Sequence, residues 1–263
     1  MVHNTAKSIG NSDGSTSTRR NLMATTLDIL QRETRALVFD QYGTVVDMQG
    51  GLIEAATPWL KAKGWTGDPS QFVTWWRRTH YQDSLIDALL DRGHTPYRQI
   101  GHRAVSQVLE RCRIEHTQAE VEWLVSQIES LKPFPDVIAA LKKLATRYKL
   151  VILSNGDRDM LEAAKPHIGF PMDLTVSVQE AGYFKPHWQT YATAERLITE
   201  RWPHIERSGC LFVANHAFDC IGAKSHGFRA AFVDRRKRPY GQSPHQPDLI
   251  VADFAELAGT LAP

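Results

Sequence analysis

Four short segments hold the residues whose chemistry stands out. Phe39-Asp40-Gln41-Tyr42-Gly43-Thr44 offers a carboxylate, a glycine for a tight turn and a hydroxyl two residues past an aromatic ring. Leu153-Ser154-Asn155-Gly156 offers a small hydroxyl and a carboxamide, and Phe184-Lys185-Pro186 a lysine before a helix that proline would open. Asn215-His216-Ala217-Phe218-Asp219 adds polar groups and a second acid. A lone aspartate such as Asp40 reads as a turn or helix cap. Together the segments supply two carboxylates, a lysine able to hold them ionised, and neutral donors, a set suited to a carboxylate acting as nucleophile or base.

The surrounding pattern says how such residues could meet. Ala36 to Phe39 is a short apolar run closed by a turn, as expected of a strand buried on both faces. The same grammar recurs at Leu150 to Leu153, Leu174 to Ser177, Leu211 to Val213, Ala230 to Val233 and Leu249 to Val251. Helical stretches lie between them, over 137–148, 160–167, 188–201 and 217–226. Alternating strands and helices predict an α/β fold with a doubly wound parallel sheet. Ligands of such sheets sit beyond the carboxyl ends of the strands, which is where Asp40, Ser154-Asn155, Asn215-His216 and Asp219 fall. Residues 47–133 break the alternation with helical patterns only (59–63, 72–92, 99–113 and 119–131), so they read as a helical cap inserted after the first strand. The core is then 35–46 plus 134–263. Residues 1–34 open on a Ser/Thr/Asn/Gly-rich stretch and are expected to be a disordered tail. Arg19-Arg20 echoes a twin-arginine export signal, but Asp28 arrives before an apolar stretch can form.

Composition narrows the function classes. In 263 residues, 31 Lys+Arg against 29 Asp+Glu leave a net charge of +2, which favours no nucleic-acid partner. No run approaches the roughly 18 apolar residues of a membrane span. Three scattered cysteines with no CxxC spacing argue against a disulfide framework or a zinc site and suit a reducing cytoplasm. Cys220 falls inside a helix without a paired base and reads as a structural thiol. Arg235-Arg236-Lys237-Arg238, with little aromatic interleaving, reads as a solvated loop.

With its four motifs in order over residues 35–262, the chain resembles the haloacid dehalogenase (HAD) superfamily and, within it, the type II 2-haloacid dehalogenases. The resemblance implies a HAD-like Rossmannoid core with an inserted helical cap, no cofactor and no metal, and hydrolysis of short 2-halo acids. By matching position, Asp40 is the nucleophile, Thr44 and Ser154 position its carboxylate, and Asn155 binds the substrate carboxylate. Lys185 balances charge, Asp219 helps to activate water, and Tyr42 and Tyr191 match active-site tyrosines. The segment Thr74-Trp75-Trp76-Arg77-Arg78 resembles the cap segment whose arginine contacts halide; Arg77 follows the tryptophan directly, while counting back from Tyr81 selects Arg78.

Most of the superfamily are magnesium-dependent phosphatases, and here the chain departs from them. Tyr42 stands where a phosphatase has the aspartate that protonates the leaving alcohol, and Asn215-His216 reduces the carboxylates available to a hard cation. Within the dehalogenases, His216 stands for an asparagine and Phe218 for a tryptophan. His216 either donates to the substrate or ester oxyanion, or is a satisfied histidine at a helix start. The expected reaction turns a 2-haloalkanoic acid into a 2-hydroxy acid through an Asp40 ester. The same attack would open another electrophilic carbon, such as the strained ring of azetidine-2-carboxylate. Aromatic residues of the cap are compatible with a homodimer.

Overall fold

The computed structural model describes residues 26–263, so the tail and export-signal expectations for residues 1–25 lie outside the described residues. Strands β1 (Ala36–Phe39), β2 (Lys149–Ser154), β3 (Leu174–Ser177), β4 (Cys210–Ala214), β5 (Arg229–Val233) and β6 (Leu249–Val251) form one sheet in the order β3-β2-β1-β4-β5-β6. Every neighbouring pair is parallel, and β1 lies between β2 and β4 with Phe39 opposite Ile152 and Val213. β1 is buried along its whole length, which is why it reads as an unbroken apolar run.

Successive side chains divide between the two faces of the sheet. Leu37, Phe39, Leu150, Ile152, Leu211 and Val213 belong to one core, which also takes in helices α5 (Val137–Leu144), α6 (Arg158–Ile168) and α9 (Phe254–Leu261). Ala36, Val38, Val151, Leu153, Phe212 and Ala214 belong to a second core under α7 (Trp188–Arg201) and α8 (Ala217–His226). Burial on both faces by helices on both sides is the doubly wound arrangement.

Between β1 and α5 the chain builds α1 (Met48–Ala62), α2 (Pro69–Leu90), α3 (Tyr97–Arg111) and α4 (Gln118–Ser126). Their starts are locally encoded. The Asp47 carboxylate accepts the Gly50 amide, Asp68 caps α2 ahead of Pro69, and Thr117 and Glu120 form a capping box. Phe72, Val73 and Trp76 of α2, Ile100 and Ala104 of α3, and Val121 and Leu124 of α4 join the first core, so the inserted helices share apolar packing with the sheet.

The disordered-tail expectation is corrected for residues 26–34. Residues 26–33 are helical, with Leu30 only 1% exposed in the first core. Gln31 donates to the Thr260 carbonyl at 2.6 Å, and Glu33 pairs with Arg229. One buried leucine and contacts with residues more than 100 positions away hold a segment whose own composition is polar. Pro186 is likewise not the first residue of a helix: α7 begins at Trp188, capped by the His187 ring, which accepts the Gln189 amide. All three cysteines are free, and among the described residues no helix is long and apolar enough to cross a membrane.

Candidate active site

Asp40 is the first residue past β1, the strand at the middle of the sheet, and its amide still donates to Val213 O at 3.1 Å. The chain then folds tightly back. Gln41 O accepts the amides of Val45 and Val46, and Gly43 takes φ +87°, a conformation that glycine reaches without strain. This turn brings Thr44 under Asp40, where its hydroxyl donates to Asp40 Oδ2 at 2.6 Å. The loop after β4 braces the same turn: Asn215 N donates to Thr44 Oγ1 at 3.0 Å, and Asn215 Nδ2 to Gly43 O at 2.9 Å.

Lys185, 1% exposed, reaches the site from the loop before α7. Its ammonium donates to Asp40 Oδ1 at 2.9 Å, Asp219 Oδ2 at 3.0 Å and Leu153 O at 3.0 Å, so all three of its protons are used. Asp219, in the first turn of α8, also accepts the Tyr191 hydroxyl at Oδ1, 3.2 Å away. Burial alone would raise the Asp40 carboxyl, but the Lys185 ammonium and the His216 ring (Nδ1 3.5 Å from Oδ2) hold it well below the usual carboxylate range. Asp219 goes the other way, up to about 6, because burial and the Asp40 charge outweigh Lys185. Lys185 itself would be lowered by burial, yet its two acids raise it. One oxyanion is thus kept ionised beside a second acid with a different proton affinity, a pairing common where a reaction needs both.

Asp40 opens into a cavity of about 840 Å³ between the sheet tips and the inserted helices, lined by Tyr42, Arg77, Arg78, Asn155, His216 and Phe218 among others. Arg77 and Arg78 differ in depth. Arg78 is exposed, whereas Arg77 is partly covered, bonds Gln49 Oε1 at 2.7 Å and keeps a buried Nε with no partner among the described residues. Burial and the neighbouring Arg236 bring Arg77 down to about 10. Asn155 spends its Oδ1 on the Lys185 amide at 3.0 Å, which leaves its NH₂ for the cavity. Tyr42 stacks on Tyr97, with its hydroxyl buried and without a hydrogen-bond partner among the described residues. Phe218 packs against Tyr81 of α2, whose phenol is pushed up to about 12 by burial and the Asp219 charge.

Three residues expected at the site act differently. Ser154 Oγ accepts the Gly156 amide at 3.2 Å and, among the described residues, makes no hydrogen bond to Asp40, so it shapes the turn after β2. Tyr191 is fully buried behind Asp219 and holds that acid from outside the cavity. Asn215 is first a brace of the Asp40 turn. The solvated-loop reading of 235–238 is overturned in part, because Arg235, Arg236 and Arg238 line the cavity. Arg235 pairs with Asp136 at 3.0 Å and stacks on Phe134, and Arg236 Nη2 lies 3.5 Å from His216 Nε2. The signal was available: these arginines begin two residues past the end of β5, at the same edge as the other strand-tip residues.

Asp40, His216 and Asp219 each bring a ligand atom within 4.8 Å of the others. The group fits a magnesium-like ion poorly. Such ions take a nearly complete oxygen shell, and here one of the three donors is a nitrogen while the Lys185 ammonium already bridges the two carboxylates.

Comparison with known proteins agrees with this geometry. Residues 34–227 match the haloacid dehalogenase-like hydrolase family. The (S)-2-haloacid dehalogenase of Xanthobacter autotrophicus is 30% identical over 203 residues, 76% of this chain and 75% of that protein. The solved L-2-haloacid dehalogenase from Xanthobacter autotrophicus superposes with a TM-score of 0.74 at 27% identity, covering 86% of this chain and 97% of that one. Its form with chloropropionic acid covalently bound gives 0.73 at 26% identity, with 86% and 97% covered. By sequence match, topology and inserted helices, this chain belongs to the haloacid dehalogenase-like hydrolases and, among them, to the L-2-haloacid dehalogenase family.

Proposed function

We propose that the protein is a metal-independent 2-haloacid dehalogenase that hydrolyses short 2-haloalkanoic acids through an ester on Asp40. The observation that carries this reading is the state of Asp40: buried, ionised by Lys185, steadied by Thr44 and open to a cavity that offers guanidinium donors to an anion. A carboxylate without bulk water around it is a stronger nucleophile towards carbon, and a departing halide needs only a fixed positive site. Tyr42 supplies no acid for a leaving alcohol, which disfavours phosphoryl transfer.

In the proposed cycle one Asp40 oxygen attacks C2 from the side opposite the halogen, and the C–X pair leaves as halide towards Arg77. The buried, unpaired guanidinium edge of Arg77 makes it a better halide ligand than exposed Arg78. Asn155 Nδ2 is the donor assigned to the substrate carboxylate. Water then attacks the ester carbonyl of Asp40, with Asp219 taking its proton, and the 2-hydroxy acid departs. Tyr191 acts as a positioning residue that keeps Asp219 in place. The relative with chloropropionic acid covalently bound supports a covalent intermediate here. The free cysteines favour a cytoplasmic enzyme. Chloride release from 2-chloropropionate tests the reading: wild type should release it in the presence of chelator and Asp40→Asn should not. A strict magnesium requirement, or full activity in Asp40→Asn, would overturn it.

A further inference from the structure

The cavity holds more positive charge than a monoacid calls for. Lys185 is committed to Asp40 and Asp219, and Arg235 to Asp136. Four guanidinium groups remain on the lining, Arg77 and Arg78 from α2 and Arg236 and Arg238 from the loop after β5. Among the described residues none of the four forms a salt bridge. The other acid on the lining, Asp47, spends an oxygen on the Gly50 amide as the cap of α1.

Two of these groups also converge on one spot. A Cβ placed on Gly43 would meet His216 Cε1 at 3.1 Å, Arg77 Nη2 at 3.4 Å and Arg236 Nη2 at 3.6 Å. The bare face of Gly43, next to the Asp40 turn, is therefore overhung by guanidinium groups from opposite walls of the cavity. Both guanidinium groups feel the Asp47 and Asp40 carboxylates, yet neither is paired to one, and like charges brought this close favour a further anion between or beside them. The reaction of a 2-halo monoacid uses one such group for halide, and a three-carbon acid fills a small part of about 840 Å³.

We propose that Arg236, with Arg238 at the mouth, forms a subsite for a second carboxylate, and that the preferred substrates are 2-halodicarboxylic acids, of which 2-chlorosuccinate is the simplest probe. This rests on the haloacid reading of Asp40 and extends it to a substrate class. Arg236 offers its fork to the distal carboxylate while Asp40 reaches C2. The C2–O bond to Asp40 forms as the C–Cl pair leaves with chloride. Water then cleaves the ester at the Asp40 carbonyl, giving 2-hydroxysuccinate, regenerated Asp40 and one proton. Arg236 is a specificity residue and takes no part in bond making.

The test compares chloride release from 2-chlorosuccinate and 2-chlorobutyrate, equal in chain length, and in parallel the binding of succinate and butyrate by calorimetry. Wild type should favour the dianion by about tenfold or more in kcat/KM and in Kd. Arg236→Gln should lose about tenfold on the dianions, chiefly in KM, and less than about threefold on the monoanions, with Arg236→Lys falling between. Equal losses on both charge types would mean that the arginines only attract anions at long range, and would overturn the subsite. Chloride release from 2-chlorobutyrate with no dianion preference in either assay removes the subsite and leaves the haloacid reading standing. A succinate preference abolished by Arg236→Gln, with neither chloro acid turned over, does the reverse. If neither dicarboxylate nor monocarboxylate binds, the subsite is refuted as well.

Discussion

Replacing Lys185 by methionine removes the one cation that lies between two buried carboxylates while keeping a side chain of similar length. The ammonium stands 2.9 Å from Asp40 and 3.0 Å from Asp219, with Lys185 and Asp219 each 1% exposed. At an effective dielectric constant of about 20, each contact has a Coulomb energy of about 5–6 kcal/mol, most of it offset by the cost of taking the charges out of water. What the substitution exposes is the uncompensated pair, so Lys185→Met should lose about 3–5 kcal/mol of folding stability, within the margin of an ordinary domain. The loss should depend on pH with a definite sign. Without Lys185 both carboxyls rise above their unfolded values, so the folded variant retains protons that the unfolded chain gives up. Each retained proton then costs about 1.4 kcal/mol per pH unit, from the ordinary carboxylate range up to the raised value. Urea unfolding of wild type and variant at pH 5 and pH 8 measures this directly, and the deficit should be larger at pH 8. Dehalogenation should fail together with the carboxylate, because a protonated acid is no nucleophile. A deficit below about 1 kcal/mol, equal at both pH values, would refute the assignment of Lys185 as the group that holds the two acids ionised.

Two other perturbations test separate parts of the account. If Asp219 takes the proton from water, single-turnover ester hydrolysis should rise with pH as Asp219 loses its own proton. The midpoint should lie below about 6, because esterification of Asp40 removes one of the charges that raises Asp219, while ester formation stays flat over the same range; a flat hydrolysis profile in quenched-flow assays would remove Asp219 from that role. Leu30→Ala should cost about 2–4 kcal/mol in thermal or urea unfolding if residues 26–33 belong to the core, and within about 0.5 kcal/mol if they were a solvated tail.

The sheet was legible because its central strands are buried on both faces and leave no alternation to misread, and the cap because nearly ninety residues carry helical periodicity and no strand. Asp40, His216 and Asp219 lie at the strand ends and helix start where the pattern put them, while Lys185 stood out only through its motif, since the helix expected to begin at Pro186 begins at Trp188. Other features depend on partners distant in sequence. Leu30 sits in a short segment (Leu27, Ile29 and Leu30 among polar residues) too brief to announce a core helix, and its neighbours Gln31 and Glu33 are anchored to residues more than 100 positions away. The arginines after β5 look like any solvated charge run until Phe134 and Phe254 are folded against Arg235. The difference in depth between Arg77 and Arg78 was written in the helix: Val73, Trp76, His80 and Ser84 form the buried stripe of α2, and Arg77, four residues after Val73, lies on its edge while Arg78 does not. Ser154 was placed at a strand end by pattern and given its role by resemblance, Tyr191 was placed by resemblance alone, and only hydrogen-bond geometry shows one turning to its own loop and the other backing Asp219.

The central claim is that Asp40 forms a bond to substrate carbon, and the isotope content of its side chain tests it most directly. Under a single turnover of 2-chloropropionate in heavy-oxygen water, peptide mass spectrometry should find the label in the peptide that carries Asp40, with unlabelled oxygen in the lactate. Label appearing in the lactate while Asp40 stays unlabelled would mean that water attacks the substrate directly, and would contradict the account.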